Sequence, residues 1–316
     1  MKLTALKPIA GMLAKEIWHA LLLLLGVSAV VFAVLSLAPG DPFGVMLSSF
    51  EATATGLKAD AANKIQQYLL WVGQLIQGNF GHSLRSGLPV LDEVIRTSIN
   101  TVYLTVGSLV LSLLLAVPVA VYTARRGIIT SSGWVMTITT YILSAIPAFW
   151  FGYIIIYIAI HRFGFFPLAG GGRSGTWNWF YFLLPVLVLG LCSCGISEMV
   201  RYLREELARV LAQDYVRTAK AKGVSVWRHA FKEGFLLPVT EMIAARIPFI
   251  LGGAVVVEQV FNWPGMGRMA WQAAQDRDFP LIMGITLVAA VFVRLGSLLK
   301  QVVHIMVNPR MSQRNG

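Results

Sequence analysis

Six long runs of almost unbroken apolar residues recur along the chain, at 17–38, 98–124, 134–160, 179–200, 236–258 and 281–303. A hydrocarbon core roughly 30 Å thick takes about 20 helical residues to cross, so each run has the length of one span. The runs are continuous rather than alternating with period two. In lipid only helices or closed barrels satisfy their own backbone, so the pattern predicts six transmembrane α-helices and an all-α fold. The first run is longer than the apolar part of a cleavable signal, about 7 to 15 residues, and reads as a retained anchor.

The polar stretches between the runs divide the chain into a segment 1–16, a span 17–38, an outer segment 39–97, a core of five spans over 98–303 and a tail 304–316. Two of these stretches carry their own periodicity. In the outer segment, Ile65, Leu69, Val72, Leu75 and Ile76 fall at helical spacing among Lys64, Gln66, Gln67 and Gln74, which predicts a small amphipathic cap. Such a cap either rests on the membrane surface or offers a platform to an external partner. Within the inner segment 201–234, Leu207, Val210, Leu211, Tyr215 and Thr218 recur beside Arg204, Glu205, Arg209, Asp214, Arg217, Lys220 and Lys222. That spacing predicts an amphipathic cytoplasmic helix stopped at Gly223, with a connector through Trp227 and a new helix starting at Pro238. The segment is either a lever joined to its neighbouring spans or a solvated basic loop that sets topology.

Composition agrees with a membrane protein: 56% hydrophobic residues, 13% charged and a mean hydropathy of +0.68. The net charge of +11 would suggest nucleic acid in a soluble domain, but membrane topology accounts for it. With the amino terminus inside, sixteen Lys and Arg fall on the cytoplasmic side and eight on the longer outer segments. Both termini are therefore expected in the cytoplasm, and no nucleic-acid partner is expected. Cys192 and Cys194 lie in an apolar run and read as buried thiols. The tryptophans near span ends read as interfacial anchors.

Catalytic chemistry finds no foothold. The chain has no phosphate-binding Gly-x-x-x-x-Gly-Lys-Ser/Thr loop and no His-Glu-x-x-His helix, and its histidines are scattered singly. No catalytic residue, metal set or bound cofactor is expected, and the chain is not expected to be an enzyme. A stand-alone secondary transporter would show inverted repeats or several carboxylates inside its spans, and neither is visible. Ionisable groups inside spans are costly and mark pathways or internal pairs. Arg246 and Glu258 are pathway candidates on this ground, whereas Arg294 reads as a side chain snorkelling to the inner interface. Gly252 and Gly253 make either a helix-packing seam or room for a passage. The loop after Glu258, with Pro264, Gly265 and Gly267 supplying a tight turn, is a candidate outer gate.

The run Asp214-Tyr-Val-Arg-Thr-Ala-Lys-Ala-Lys-Gly223 resembles the coupling loop of ABC importer permeases, in the version used by the dipeptide, oligopeptide and nickel permeases. Further blocks resemble that family in the same order. They are Ala38-Pro-Gly-Asp-Pro42, Asn79-Phe-Gly-His-Ser83 with Gly87-Leu-Pro-Val90, Phe166-Pro-Leu-Ala-Gly170, Glu258-Gln-Val-Phe-Asn-Trp-Pro-Gly-Met-Gly267, Arg277-Asp-Phe-Pro280 and Asn308-Pro-Arg310. Nearly the whole chain is covered. The likeness implies a type I permease fold and the first, B-type transmembrane subunit of a bacterial inner-membrane importer for short peptides, with nickel or another metal chelate as the alternative cargo. It further implies a heterodimer with a second permease, two cytoplasmic ATPase subunits that hold ATP and Mg²⁺, and an extracytoplasmic solute-binding protein. Asp214, Tyr215, Arg217, Thr218, Ala219, Lys222 and Gly223 would couple to an ATPase subunit. Pro39, Gly40, Asp41, Pro42, Phe80, Gly81 and Ser83 are candidates for docking the binding protein. The sequence departs from the family in two places. Arg217-Thr-Ala219 stands where the general importer motif has Glu-Ala-Ala, and Gln301 stands where an aspartate is usual.

Overall fold

A computed structural model of the protein describes residues 6–37, 64–126, 130–163, 180–193, 195–225 and 235–307. Among these the regular elements are helices, with one isolated antiparallel bridge between His82 and Pro89. In chain order they are α1 (Leu6–Leu35), α2 (Lys64–Ile76), α3 (Val90–Arg126), α4 (Ser131–Ala145), α5 (Ala148–Phe163), α6 (Phe180–Val188), α7 (Ile196–Leu211), α8 (Asp214–Ala221), α9 (Leu237–Val260), α10 (Met266–Asp276) and α11 (Phe279–Val307). Three of them, α1, α3 and α11, are long and apolar enough to cross a membrane, and two bent helix pairs bring the number to five if each pair is one span. The 24 residues of α9 make a rod of about 36 Å, also long enough to cross.

Two of the apolar runs break where a single rod was expected. The run 134–160 is α4 and α5, which meet at 94°. Pro147 is the cause: the residue before a proline is pushed out of the α region, and Ile146 is extended at φ −76 and ψ 125. The run 179–200 is α6, a π turn at Leu189–Ser193 and then α7, which begins after left-handed Gly195 (φ 58) and continues to Leu211. Ser112 Oγ lies 2.7 Å from Gly190 O and 2.8 Å from Ser108 O, so the wide turn rests against a hydroxyl of α3. A Cβ on Gly190 would come within 3.0 Å of Ser108 O, which keeps that position small.

The chain divides into two compact units. The first runs to Thr101 and takes in Pro264–Arg294. There the cap helix α2 packs Trp71 into a cluster with Phe32, Phe279, Met283 and Leu287, and the Tyr68 hydroxyl sits 2.8 Å from Ser28 Oγ of α1. Only part of the face expected for the cap turns inward. Val72 and Leu75 pack against this cluster as expected, whereas Ile65, Leu69 and Ile76 are exposed and Gln67 and Trp71 are buried, because the two aromatic rings offer more area to bury than the rest of the aliphatic stripe does. A second cluster joins Val90 and Val94 to Met266, Ala273, Leu281 and Ile285. Gly284 makes it possible, since a Cβ there would meet Val90 at 2.5 Å.

Arg294 has a charged partner. Its guanidinium donates to Glu16 Oε2 at 2.9 Å, both side chains being largely buried, and so links α11 to α1 within the first unit. A charge removed from water in this way is stabilised by an opposite one beside it.

The second unit covers Val102–Trp263 and the chain from Leu295. Its core brings Leu104, Ala116 and Ala120 of α3 together with Val188, Ile196, Met199, Leu203, Ala254 and Phe261. Cys192, as expected, is a buried free thiol; Cys194 lies outside the described residues.

Candidate functional site: the α7–α8 corner

The amphipathic inner segment is two helices rather than one. α7 ends at Leu211 with Ala212 as its cap, and α8 starts afresh at Asp214. The break changes the helical phase, so the expected apolar stripe stops halfway. Leu207 and Val210 are buried as predicted, but Tyr215 and Thr218 are exposed and their places inside are taken by Val216 and Ala219. Val216 is fully buried against Val210 and Leu211, which sets α8 back onto the end of α7.

The outer face of α8 then presents Asp214, Tyr215, Arg217, Thr218 and Lys222 to solvent. Thr218 Oγ1 donates to Asp214 O at 2.9 Å, and Arg217 stands 3.8 Å from Asp214, an exposed pair that contributes little stability. The helix stops as its glycine predicts. Gly223 is left-handed at φ 71, and the Val224 amide donates to Ala219 O at 3.0 Å, the six-to-one bond of a Schellman cap. The connector 226–234, with Trp227, lies outside the described residues. α9 restarts with proline in its first turn, as expected at Pro238.

Two hydrogen bonds tie the corner to its neighbours. The Tyr202 hydroxyl of α7 donates to Glu241 Oε2 of α9 at 2.8 Å. Burial first, and then that carboxylate, push the Tyr202 phenol well above its usual range, so it remains a neutral donor. At the start of α7 the cap residue is Gly195, which has no side chain to offer, and Ser144 Oγ of α4 accepts the Ser197 amide at 3.1 Å instead. No sequence signal marked Tyr202, Glu241 or Ser144, since each matters through a partner more than 35 residues away.

The block after Glu258 is a fixed turn. α9 closes on left-handed Asn262 (φ 54), and the Trp263 amide donates to Glu258 O at 2.8 Å. Asparagine thus supplies the conformation expected of the glycines: Gly265 sits at φ −97 and ψ 172 as the cap of α10, and Gly267 is buried inside that helix. In the first unit, Asn100 Nδ2 donates to Pro264 O at 2.8 Å and Thr101 Oγ1 accepts the Met266 amide at 2.7 Å, so hydroxyl and amide groups of α3 cap α10. Glu258 is fully buried, and Gly252 faces open space. Arg246 and Gly253 fall within α9, and their surroundings lie outside what is described.

The outer-loop candidates separate in the same way. Pro39, Gly40, Asp41 and Pro42 lie outside the described residues. Phe80 packs into the first unit, Gly81 is left-handed at φ 78 and Ser83 is buried. Ser83 Oγ donates to Asp278 Oδ2 at 2.5 Å, the Arg85 amide reaches the same oxygen at 3.3 Å, and the Leu281 amide donates to Oδ1 at 3.3 Å. Buried Asp278 therefore clasps the loop, and Leu84, Arg85, Gly87 and Leu88 form its exposed rim.

Residues 116–313 match the family described as "Binding-protein-dependent transport system inner membrane component". The chain is 37% identical over 303 residues to the oligopeptide transport system permease protein AppB of Bacillus subtilis, a match covering 92% of this chain and 95% of that protein. It is 31% identical over 297 residues to the glutathione transport system permease protein GsiC of Escherichia coli, covering 90% and 92%.

Proposed function

This chain belongs to the family of binding-protein-dependent transport inner-membrane components, and from that premise we propose that it forms half of a peptide passage driven from the cytoplasm through α8. It is a permease subunit of an ABC importer in the inner membrane, working with an ATPase and a solute-binding protein. Our reading adds six spans with both termini inside, a heterodimer with a second permease, and ATP with Mg²⁺ held by two ATPase subunits. The cargo is a short peptide, in keeping with the names of the relatives.

One observation carries the coupling role. α8 is an eight-residue helix pinned by Val216 and Ala219 on one side, and on the other Arg217, Thr218 and, just past its end, Lys222 are exposed to solvent. An isolated helix this short does not hold itself in water, so its exposed face is kept in shape by packing and cap for something outside. Seated in a groove of an ATPase subunit, α8 would move with it. Tyr202 and Glu241 would share that motion between α7 and α9. Nucleotide then drives the passage between outward-open and inward-open arrangements by binding one of them more tightly than the other.

Solubilised membranes holding a tagged copy of this chain should yield the ATPase subunits and the second permease together. Transport of a labelled tetrapeptide by the purified chain alone, without nucleotide, would refute the proposal.

A further inference from the structure

The membrane-length helices expose faces of two different chemistries. On α1 the exposed side is Leu21, Leu22, Leu25, Val30 and Val34 beyond Trp18; on α3 it is Val106, Val110 and Leu114 beyond Tyr103; on α11 it is Leu295, Leu299 and Val302. Past the single ring toward one end of α1 and of α3, these faces are aliphatic, as acyl chains require. On α5 the exposed side is Phe149, Trp150, Tyr153 and Tyr157, at 51, 53, 60 and 62% exposure, continued by exposed His161. At about 100° per residue these five side chains fall within a third of the helix circumference.

Neither lipid nor a packed helix suits that face. The rings extend over twelve residues, about 18 Å along the axis, too far for an interfacial belt at one membrane surface. Two phenolic hydroxyls among acyl chains would lose their hydrogen bonds to water without replacement. Close helix packing in membranes uses small residues, and α5 places its own on the opposite side: Gly152 meets Val260 and Phe261, and Ala159 is buried. The 94° break at Pro147 points the same way, because irregular backbone at membrane depth is tolerated only against protein or a water-filled cavity.

We propose that Phe149, Tyr153, Tyr157 and His161 form a ladder along the translocation passage that holds an extended short peptide parallel to α5. Four helical residues advance about 6 Å, and two residues of an extended chain advance about 6.6 Å, so successive rungs meet side chains on one edge of the cargo. The ring faces take side chains of any kind, and the two hydroxyls serve the peptide's amides, which every sequence offers. Tyr157 and His161 are already stacked, with centroids 4.1 Å apart, so the upper rungs are oriented before cargo arrives. The inference rests on the peptide-importer reading above.

The test uses the assembled complex with Cys192→Ser and Cys194→Ser as parent. In it, Tyr153→Cys and Tyr157→Cys should react with a charged thiol reagent at least tenfold faster than Val110→Cys on the aliphatic face of α3. Tetra-alanine delivered by the binding protein should slow the reaction at 153 and 157 and leave that at 110 unchanged. Equal rates at 157 and 110, or no protection, would overturn the ladder. ATP-driven uptake of tetra-alanine by the parent tests the importer reading separately, so its loss is distinguishable from failure of the ladder. Should the cysteine variants not assemble, Tyr153→Phe with Tyr157→Phe keeps the rings and removes the hydroxyls. Uptake at saturating loaded binding protein is then expected to fall three- to tenfold per assembled complex, and unchanged uptake would overturn the proposal.

Discussion

Replacing Gly223 with valine attacks α8, for which we propose the coupling role, at its end without touching any side chain, because no atom lies within 4 Å of where the new Cβ would be. The whole effect is conformational. At φ 71 the position is left-handed, which costs an L-residue about 1–2 kcal/mol, and a β-branched side chain stands at the upper end of that range. If the chain relaxes to a right-handed conformation instead, the bond from the Val224 amide to Ala219 O is lost, at about 1 kcal/mol. Depending on the route, about 1–2 kcal/mol is set against the last turn of an eight-residue helix, a factor of roughly 5 to 30 in the balance between wound and frayed. The assay is uptake of labelled peptide and ATP hydrolysis in the same vesicles, expressed as peptide moved per ATP. We expect that ratio to fall severalfold in Gly223→Val, less in Gly223→Ala, and least in Gly223→Asn, since asparagine tolerates the left-handed region. A valine variant with the wild-type ratio, or an asparagine variant as impaired as valine, would refute the reasoning.

Two further perturbations test the framework. Arg294→Glu should cost about 2 kcal/mol by facing two carboxylates across a largely buried site, and the double variant Glu16→Arg with Arg294→Glu should restore thermal stability if the contact is a pairwise ion pair. Asp278→Asn turns an acceptor of three donors into a mixed group, costing about 1–3 kcal/mol, and should make the rim Leu84–Leu88 the first site of limited proteolysis. Cleavage at the wild-type rate would remove Asp278 as the clasp.

The sequence by itself determined the class and much of the local structure. Long continuous apolar runs cannot be buried in a soluble core, so membrane helices followed from length alone. Gly223 and Pro238 end and restart helices for reasons internal to the residue, and both act where expected. The ordered motifs mark the family along the chain alone. Tertiary structure decided which face of each element turns inward and where buried groups find partners. In α2, Trp71 and Tyr68 share the inner face with Val72 and Leu75 while Ile65, Leu69 and Ile76 of the same aliphatic stripe stay outside, because burial depends on the pocket supplied by Phe32 and Phe279. In α8, the break after Leu211 shifted the phase and exchanged Tyr215 and Thr218 for Val216 and Ala219. Arg294 depended on Glu16, Ser83 on Asp278 and Tyr202 on Glu241. Helix propensity and capping act over a few neighbouring residues and can be read along the chain. Pairing across 39 to 278 positions is set only when packing brings the partners together.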